Sequence, residues 1–235
     1  MTKSSTQKPS NETDSSTKSE KQTATKSKPH IMIGLPTMSH VHTELAVVLM
    51  AWAAKATRGG KFGLSVQTTS GVAPVDKARN DIVEDFLKNP HATHLLFIDS
   101  DTIPNFDDLE KMIDHDEDVI SGITPIIRHE FSRKNDSNGF FGRGNCVDMS
   151  DQVIQPNTGM HDAKSCGSSF ILIKKSVFER IGKPFYRFIY ETDDGKPTFF
   201  GEDYYFTARC LAEGIQPKVD SDILCYHYKP IIWGL

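Results

Sequence analysis

His94-Leu95-Leu96-Phe97-Ile98-Asp99-Ser100-Asp101 is the stretch that decides the fold: four consecutive apolar residues run directly into two carboxylates one residue apart. A short apolar run bounded by polar residues reads as a strand covered on both faces, and such strands belong mainly to parallel sheets. Ligands of α/β sheets bind outside the carboxyl ends of the strands, so Asp99 and Asp101 stand at a binding edge. Spaced two apart, they point the same way while the extension lasts, and like charges held close repel unless a cation lies between them. A hard divalent ion, Mn²⁺ or Mg²⁺, suits that position. The plainer alternative is that both carboxylates open the following loop and helix, which Pro104 and Asp107-Asp108 continue.

Upstream, His30 to Pro36 reads as a first strand, ended by Pro36-Thr37. Val41, Leu45, Val48 and Trp52 then form a stripe of helical period, closed by Gly59-Gly60, and 62–69 reads as a second strand. Pro74 suits the start of a second helix. In it Arg79 occupies a position on the otherwise apolar stripe of Val75, Ile82 and Phe86. A guanidinium there needs an anion, either a protein carboxylate or a ligand phosphate gripped by Arg79 with Asn80 beside it.

Downstream, 106–115 reads as a short helix and 118–121 as a strand. Residues 122–164 are irregular, Gly-rich at 138–144 and locally basic through Arg128, His129, Arg133, Lys134 and Arg143, which fits a loop that binds an acceptor. Cys166 to Lys174 reads as a second buried strand, opened by small residues that let a ligand approach the backbone. Ser176 is expected to cap a short helix ending at Gly182, and 201–214 forms a clear helix with Gly214 at its far end and Glu202 and Asp203 in its first turn. A last strand near 218–220 precedes Cys225-Tyr226-His227.

Composition sets the class. With 235 residues, 37% hydrophobic and 25% charged, the chain holds one domain and a tail. Residues 1–29 carry six Lys against Glu12, Asp14 and Glu20 and almost nothing to bury, so they are expected to be a disordered polar tail ahead of a domain over 30–235. Out of the net charge of −4, that leaves the body at −7, which argues against a broad nucleic-acid-binding face. No apolar stretch approaches a membrane span or a secretory signal, so a cytoplasmic protein is expected. Its four cysteines lack close pairing and are expected as free thiols.

In this order the parts resemble a GT-A glycosyltransferase of the family-2-like, metal-dependent kind, over roughly residues 30 to 229. The resemblance implies a Rossmann-like, mixed and mostly parallel sheet flanked by helices. It implies a nucleotide-sugar site involving Pro36, Thr37, Arg79, Asn80, Asp99 and Ser100, with Gly167 and Ser168 passing the sugar. Asp99-Ser100-Asp101 looks like the family's Asp-x-Asp motif, and His227 like the extra metal ligand some members use, giving Asp99, Asp101 and His227 around Mn²⁺ or Mg²⁺. Glu202-Asp203 resembles the acceptor-activating pair, with Asp203 as the base and inversion at the anomeric carbon preferred. The implied activity is hexosyl or pentosyl transfer from a nucleoside-diphosphate sugar, a uridine diphosphate sugar first, to the hydroxyl of a saccharide, protein, small molecule or modified nucleobase.

Rival readings place the same residues elsewhere. Haloacid-dehalogenase-type phosphohydrolases also run a strand into Asp-x-Asp, which would make Asp99 a nucleophile, but their motif lies on the first strand. A nucleotidyltransferase would want a Gly-rich phosphate loop where 35–39 has none. A non-catalytic carbohydrate-binding protein on the same fold is the third alternative.

Overall fold

The computed structural model describes residues 1–2, 28–130, 139–193 and 196–228, so the expected tail lies almost wholly outside the described residues. The first half alternates strand and helix: β1 (His30–Thr37), α1 (Thr43–Thr57), β2 (Gly63–Ser70), α2 (Val75–Lys88) and β3 (His94–Ile98). After β4 (Thr102–Ile103) and α3 (Asp108–His115), β5 (Val119–Ile123) leads into an excursion of β6 (Pro125–Glu130), β7 (Gly139–Gly144), β8 (Val147–Asp148) and β9 (Met160–Ser165). The chain returns through β10 (Phe170–Lys174) and α4 (Lys175–Ile181) to a hairpin of β11 (Ile189–Asp193) and β12 (Lys196–Phe200). It finishes with α5 (Glu202–Ala212), β13 (Lys218–Leu224) and β14 (Tyr226–His227).

Eight strands form one mixed sheet in the order β2-β1-β3-β10-β5-β13-β9-β8. Pairing makes β2, β1, β3, β5 and β13 run the same way, while β10 and β9 are antiparallel to their neighbours. The alternation of side chains along β3 then explains its unbroken apolar run. Leu95 and Phe97 enter one core with Ile82 and Phe86 of α2, Phe178 of α4 and Phe206 of α5; Leu96 and Ile98 enter the other with Leu45 and Trp52 of α1 and Met112 of α3. Helices therefore cover both faces, and polar chemistry is left to the strand ends.

Three local readings of the sequence are corrected. Residues 122–164, expected to be irregular, contain the β6–β7 hairpin and two further strands of the main sheet. Their sequence hides this because β9 buries only one residue fully, Ala163, so no alternation of apolar residues announces it. Ser176 lies inside α4 instead of capping it, because β10 passes straight into the helix and the cap position falls on Lys174. The strand over Cys166 to Lys174 starts only at Phe170, leaving 166–169 as the turn that enters the sheet between β3 and β5.

Candidate active site

Strand β3 ends at Ile98, one residue before the acidic pair, and Thr102 N–H closes a turn onto Asp99 O at 3.0 Å. The turn ends the extension, so the two carboxylates meet different partners. Asp99 Oδ1 accepts a hydrogen bond from Arg79 Nη2 at 2.9 Å, whereas Asp101 Oδ2 lies 3.2 Å from His227 Nε2. The pairing of β14 with β4 sets His227 opposite Thr102, and Tyr228 N–H donates to Asp101 O at 2.8 Å. This explains how a histidine 126 residues away comes to stand beside Asp101.

Of the two anions open to Arg79, the structure supplies protein carboxylates. Its side chain is 3% exposed, and besides Asp99 it donates from Nε to Glu202 Oε1 at 3.2 Å and from Nη1 to Ser168 O at 3.3 Å, with its guanidinium over the rings of Phe97 and Tyr186. Burial works against the charged guanidinium, but Asp99 and then Glu202 outweigh it and hold its pKa above the usual value. Arg79 thereby ties the Asp-x-Asp turn to the start of α5. Asn80 serves the fold in the same way: its amide donates to Asp76 O and Tyr186 O and accepts from the Phe185 and Tyr186 N–H groups.

Asp203 is set apart from its neighbour Glu202. Oδ1 accepts from Tyr204 N–H at 2.8 Å and folds back over Gly201, where any Cβ would stand 2.7 Å from that oxygen. Burial, reinforced by the Glu202 charge, pushes the Asp203 carboxyl up to about 6. The nearby Cys146 thiol is buried, and burial pushes it up to about 12. Beside it in the chain, Asn145, a residue the sequence reading missed, accepts from Thr124 N–H, donates to Ser169 Oγ and presses on Gly167, where a Cβ would meet Nδ2 at 2.0 Å. Gly167 is thus glycine because an amide side chain lies against its backbone. No motif announces such a bridge in the sequence.

A cavity of about 290 Å³ gathers Pro36, Asp99, Ser100, Asp101 and His227 with Met38, Ser39 and His40. Thr37 holds its rim, its hydroxyl donating to His40 O at 2.8 Å. Ser168 and Ser169 reach the Asp99 turn through backbone, with Ser168 O on Arg79 and Ser169 O on Asp99 N–H, whereas Gly167 O accepts from Ser121 Oγ.

The histidine geometry tests whether a cation fits. His227 Nδ1–H donates to Pro125 O at 2.7 Å, so the neutral ring turns Nε2 as an acceptor toward Asp101 Oδ2. Two acceptors at that separation need positive charge on or between them, and a divalent ion sharing both as adjacent ligands fits the donor set. Among the described residues no group of three or more His, Cys, Asp or Glu is arranged to hold a metal alone. An ion there would need ligands beyond Asp101 and His227. All four cysteines are free and buried, and among the described residues no helix is long and apolar enough to cross a membrane.

The sequence matches no family model and no curated protein. Solved structures are similar in fold. A197 from STIV matches with a TM-score of 0.55 at 20% identity over 86% of each chain. The catalytic domain of Drosophila β1,4-galactosyltransferase 7 matches with a TM-score of 0.46 at 13% identity, over 86% of this chain and 71% of that one. GalNAc-T7 matches with a TM-score of 0.45 at 9% identity, over 85% of this chain and 44% of that one. The architecture is the α/β one expected from the sequence.

Proposed function

We propose that this chain is a metal-dependent glycosyltransferase that moves a sugar from a nucleoside-diphosphate donor to an acceptor hydroxyl. The observation that supports this reading is the Arg79 bridge, which links Asp99 of the Asp-x-Asp turn to Glu202, the chain neighbour of Asp203 at the start of α5, whose carboxyl is pushed up to about 6. Asp101 and His227 would hold a divalent ion, Mn²⁺ before Mg²⁺ because one ligand is an imidazole nitrogen. When bound, that ion supplies Lewis-acid stabilisation of the charge that develops on the departing diphosphate. Asp99, with one oxygen on Arg79, keeps the other for a ribose hydroxyl or a water on the ion. Glu202, 12% exposed and bound by Arg79, positions the start of α5 and does not itself reach for a proton.

Transfer needs one bond broken and one formed at the anomeric carbon. The acceptor O–H gives its proton to Asp203, its oxygen bonds the anomeric carbon, and the bond from that carbon to the diphosphate oxygen breaks with its electrons on the leaving group. A base opposite the leaving group implies inversion. The reading of Asp99 as a phosphohydrolase nucleophile fares worse, since Oδ1 is engaged by a buried guanidinium that lowers its nucleophilicity. Incubation with a panel of nucleoside-diphosphate sugars and Mn²⁺ tests the proposal. Metal-dependent release of free nucleoside diphosphate supports it, and release of phosphate from monoesters with no action on any sugar nucleotide would overturn it.

His227 gives a separate check. His227→Ala should raise the Mn²⁺ concentration for half-maximal activity by about 10-fold or more, since the variant loses an oriented imidazole. Metal affinity equal to the wild type, measured by titration in the presence of nucleoside diphosphate, would remove His227 as a ligand.

A further inference from the structure

A second cavity, of about 580 Å³, opens at the same carboxyl edge, beyond the ends of β5 and β13. That volume lies in the range of small-molecule sites, about 300–1,000 Å³. Two contacts join it to the site described above. Pro125 forms one wall and supplies the carbonyl that holds His227 Nδ1. Gly144 forms another and adjoins Asn145, which rests against Gly167, next to the Ser168 carbonyl that accepts from Arg79, the residue that also binds Glu202 at the start of α5. The cavity therefore adjoins both the His227 side of the donor pocket and the contact of Asn145 with Gly167.

Its lining is aliphatic. Ile123, Ile154 and Cys225 are at most 5% exposed and are joined by Val153, Pro156 and Leu224. The polar side chains are those of Gln155 and Arg143. A saccharide seated here would leave most of its hydroxyls against carbon with their hydrogen bonds unmade, which disfavours it. An apolar ring or chain meets no such penalty. The Arg143 side chain is exposed and makes no hydrogen bond or ion pair among the described residues, so within a net acidic body it is a cation lining an apolar pocket.

Resting on the glycosyltransferase reading, we propose that the acceptor is an amphiphilic anion: an apolar moiety fills this cavity, an anionic group pairs with Arg143, and the hydroxyl to be glycosylated faces Asp203. Sugar specificity and acceptor specificity then reside in two adjoining pockets of different polarity.

Fluorescence titration of the full chain with 8-anilinonaphthalene-1-sulfonate, an apolar anion, and N-phenyl-1-naphthylamine, its uncharged counterpart, tests the proposal. Wild type should bind both at one site. Arg143→Gln should weaken the sulfonate about 10-fold while leaving the neutral probe within about twofold, because only the charge-assisted contact is lost. Val153→Trp, which fills the cavity, should abolish both; Gln155→Trp at an exposed position repeats the block should the first variant fail to fold. Binding of uridine diphosphate with Mn²⁺, followed by calorimetry, should be unchanged in all three. No binding of the sulfonate by folded wild type, binding untouched by either tryptophan, or equal weakening of both probes in Arg143→Gln would overturn the proposal. If diphosphate binding is absent while the probe results hold, the transferase reading falls and the ligand class of the cavity stands.

Discussion

Asp203→Asn should lose turnover by roughly 10²-fold or more, the usual size of a missing general base, while its affinity for nucleoside diphosphate and Mn²⁺ stays within a few-fold of wild type. The two carboxylates at the start of α5 differ by about 100° around the helix axis, so one small site cannot use both. Arg79 settles their division by binding Glu202. Asp203 retains only backbone hydrogen bonds and a carboxyl pushed up to about 6 by burial and the Glu202 charge, close to where a base must sit to be ionised at neutral pH yet still take a proton. If both acids merely stabilised the helix start, the substitution would cost stability and leave the rate intact. The opposite is expected. An amide oxygen can still accept from Tyr204 N–H, and replacing a carboxylate that is costly to ionise in place should raise stability at pH 8 by about 1–2 kcal/mol. A variant less stable than wild type at pH 8, with turnover within a few-fold, would remove Asp203 from the mechanism.

The same group fixes the pH dependence. Because the folded-state pKa of Asp203 is raised above the unfolded value near 3.8, the folded protein binds the extra proton between those values. Its contribution to stability therefore increases as pH falls from about 6 toward 4. Activity runs the other way, since only the ionised base accepts a proton. The rate should fall tenfold per pH unit below about 6 in wild type, and that limb should vanish in Asp203→Asn. A wild-type profile flat from pH 5 to 8 would contradict the assignment.

Much of the fold was legible in the sequence because its signals are local. The apolar run from Leu95 to Ile98 is unbroken because helices cover both faces of β3, and the stripe through Leu45, Val48 and Trp52 is helical because one face of α1 is buried. The excursion over 122–164 was not legible, since β9 buries only Ala163 fully and so imposes no period on the sequence. At the site, the residue types and their order were readable, but their pairing was not. The sequence could not say that the Pro125 carbonyl orients His227, because a backbone acceptor has no residue signature. Nor could it choose between phosphate and carboxylate for Arg79, whose partner Glu202 lies 123 residues away and is reached only when α2 and α5 pack on the same face of the sheet. Of the basic residues expected to meet an acceptor, Arg143 lines the second cavity, while Arg133 and Lys134 lie outside the described residues.

Arg79→Met should destabilise the protein by about 3–5 kcal/mol, a large share of the roughly 5–15 kcal/mol that holds a domain together. Methionine fills the volume and keeps contact with Phe97 and Tyr186, so the loss is one of charge and not of packing. Glu202, 12% exposed, and Asp99, 30% exposed, would then face each other's charge without their cation. Asp99, already pushed up by burial, would lose the Arg79 charge that opposes this, rise further and take up a proton in the folded state at a pH where the unfolded chain has released it. The penalty should therefore be largest at pH 8 and shrink toward pH 5, as protonation removes the uncompensated charge. Adding Glu202→Gln to the variant should recover part of the loss at pH 8 and little at pH 5, which a general packing defect would not do. Arg79→Lys should fold more stably than Arg79→Met but remain slow in catalysis, since one ammonium cannot span Asp99, Glu202 and the Ser168 carbonyl in the planar geometry that now ties the Asp99 turn to the start of α5. Urea denaturation of the four proteins at pH 5 and pH 8 reads these differences directly. A loss that is the same at both pH values, or one not relieved by Glu202→Gln, would mean that the two halves of the site are held together by something other than the Arg79 bridge.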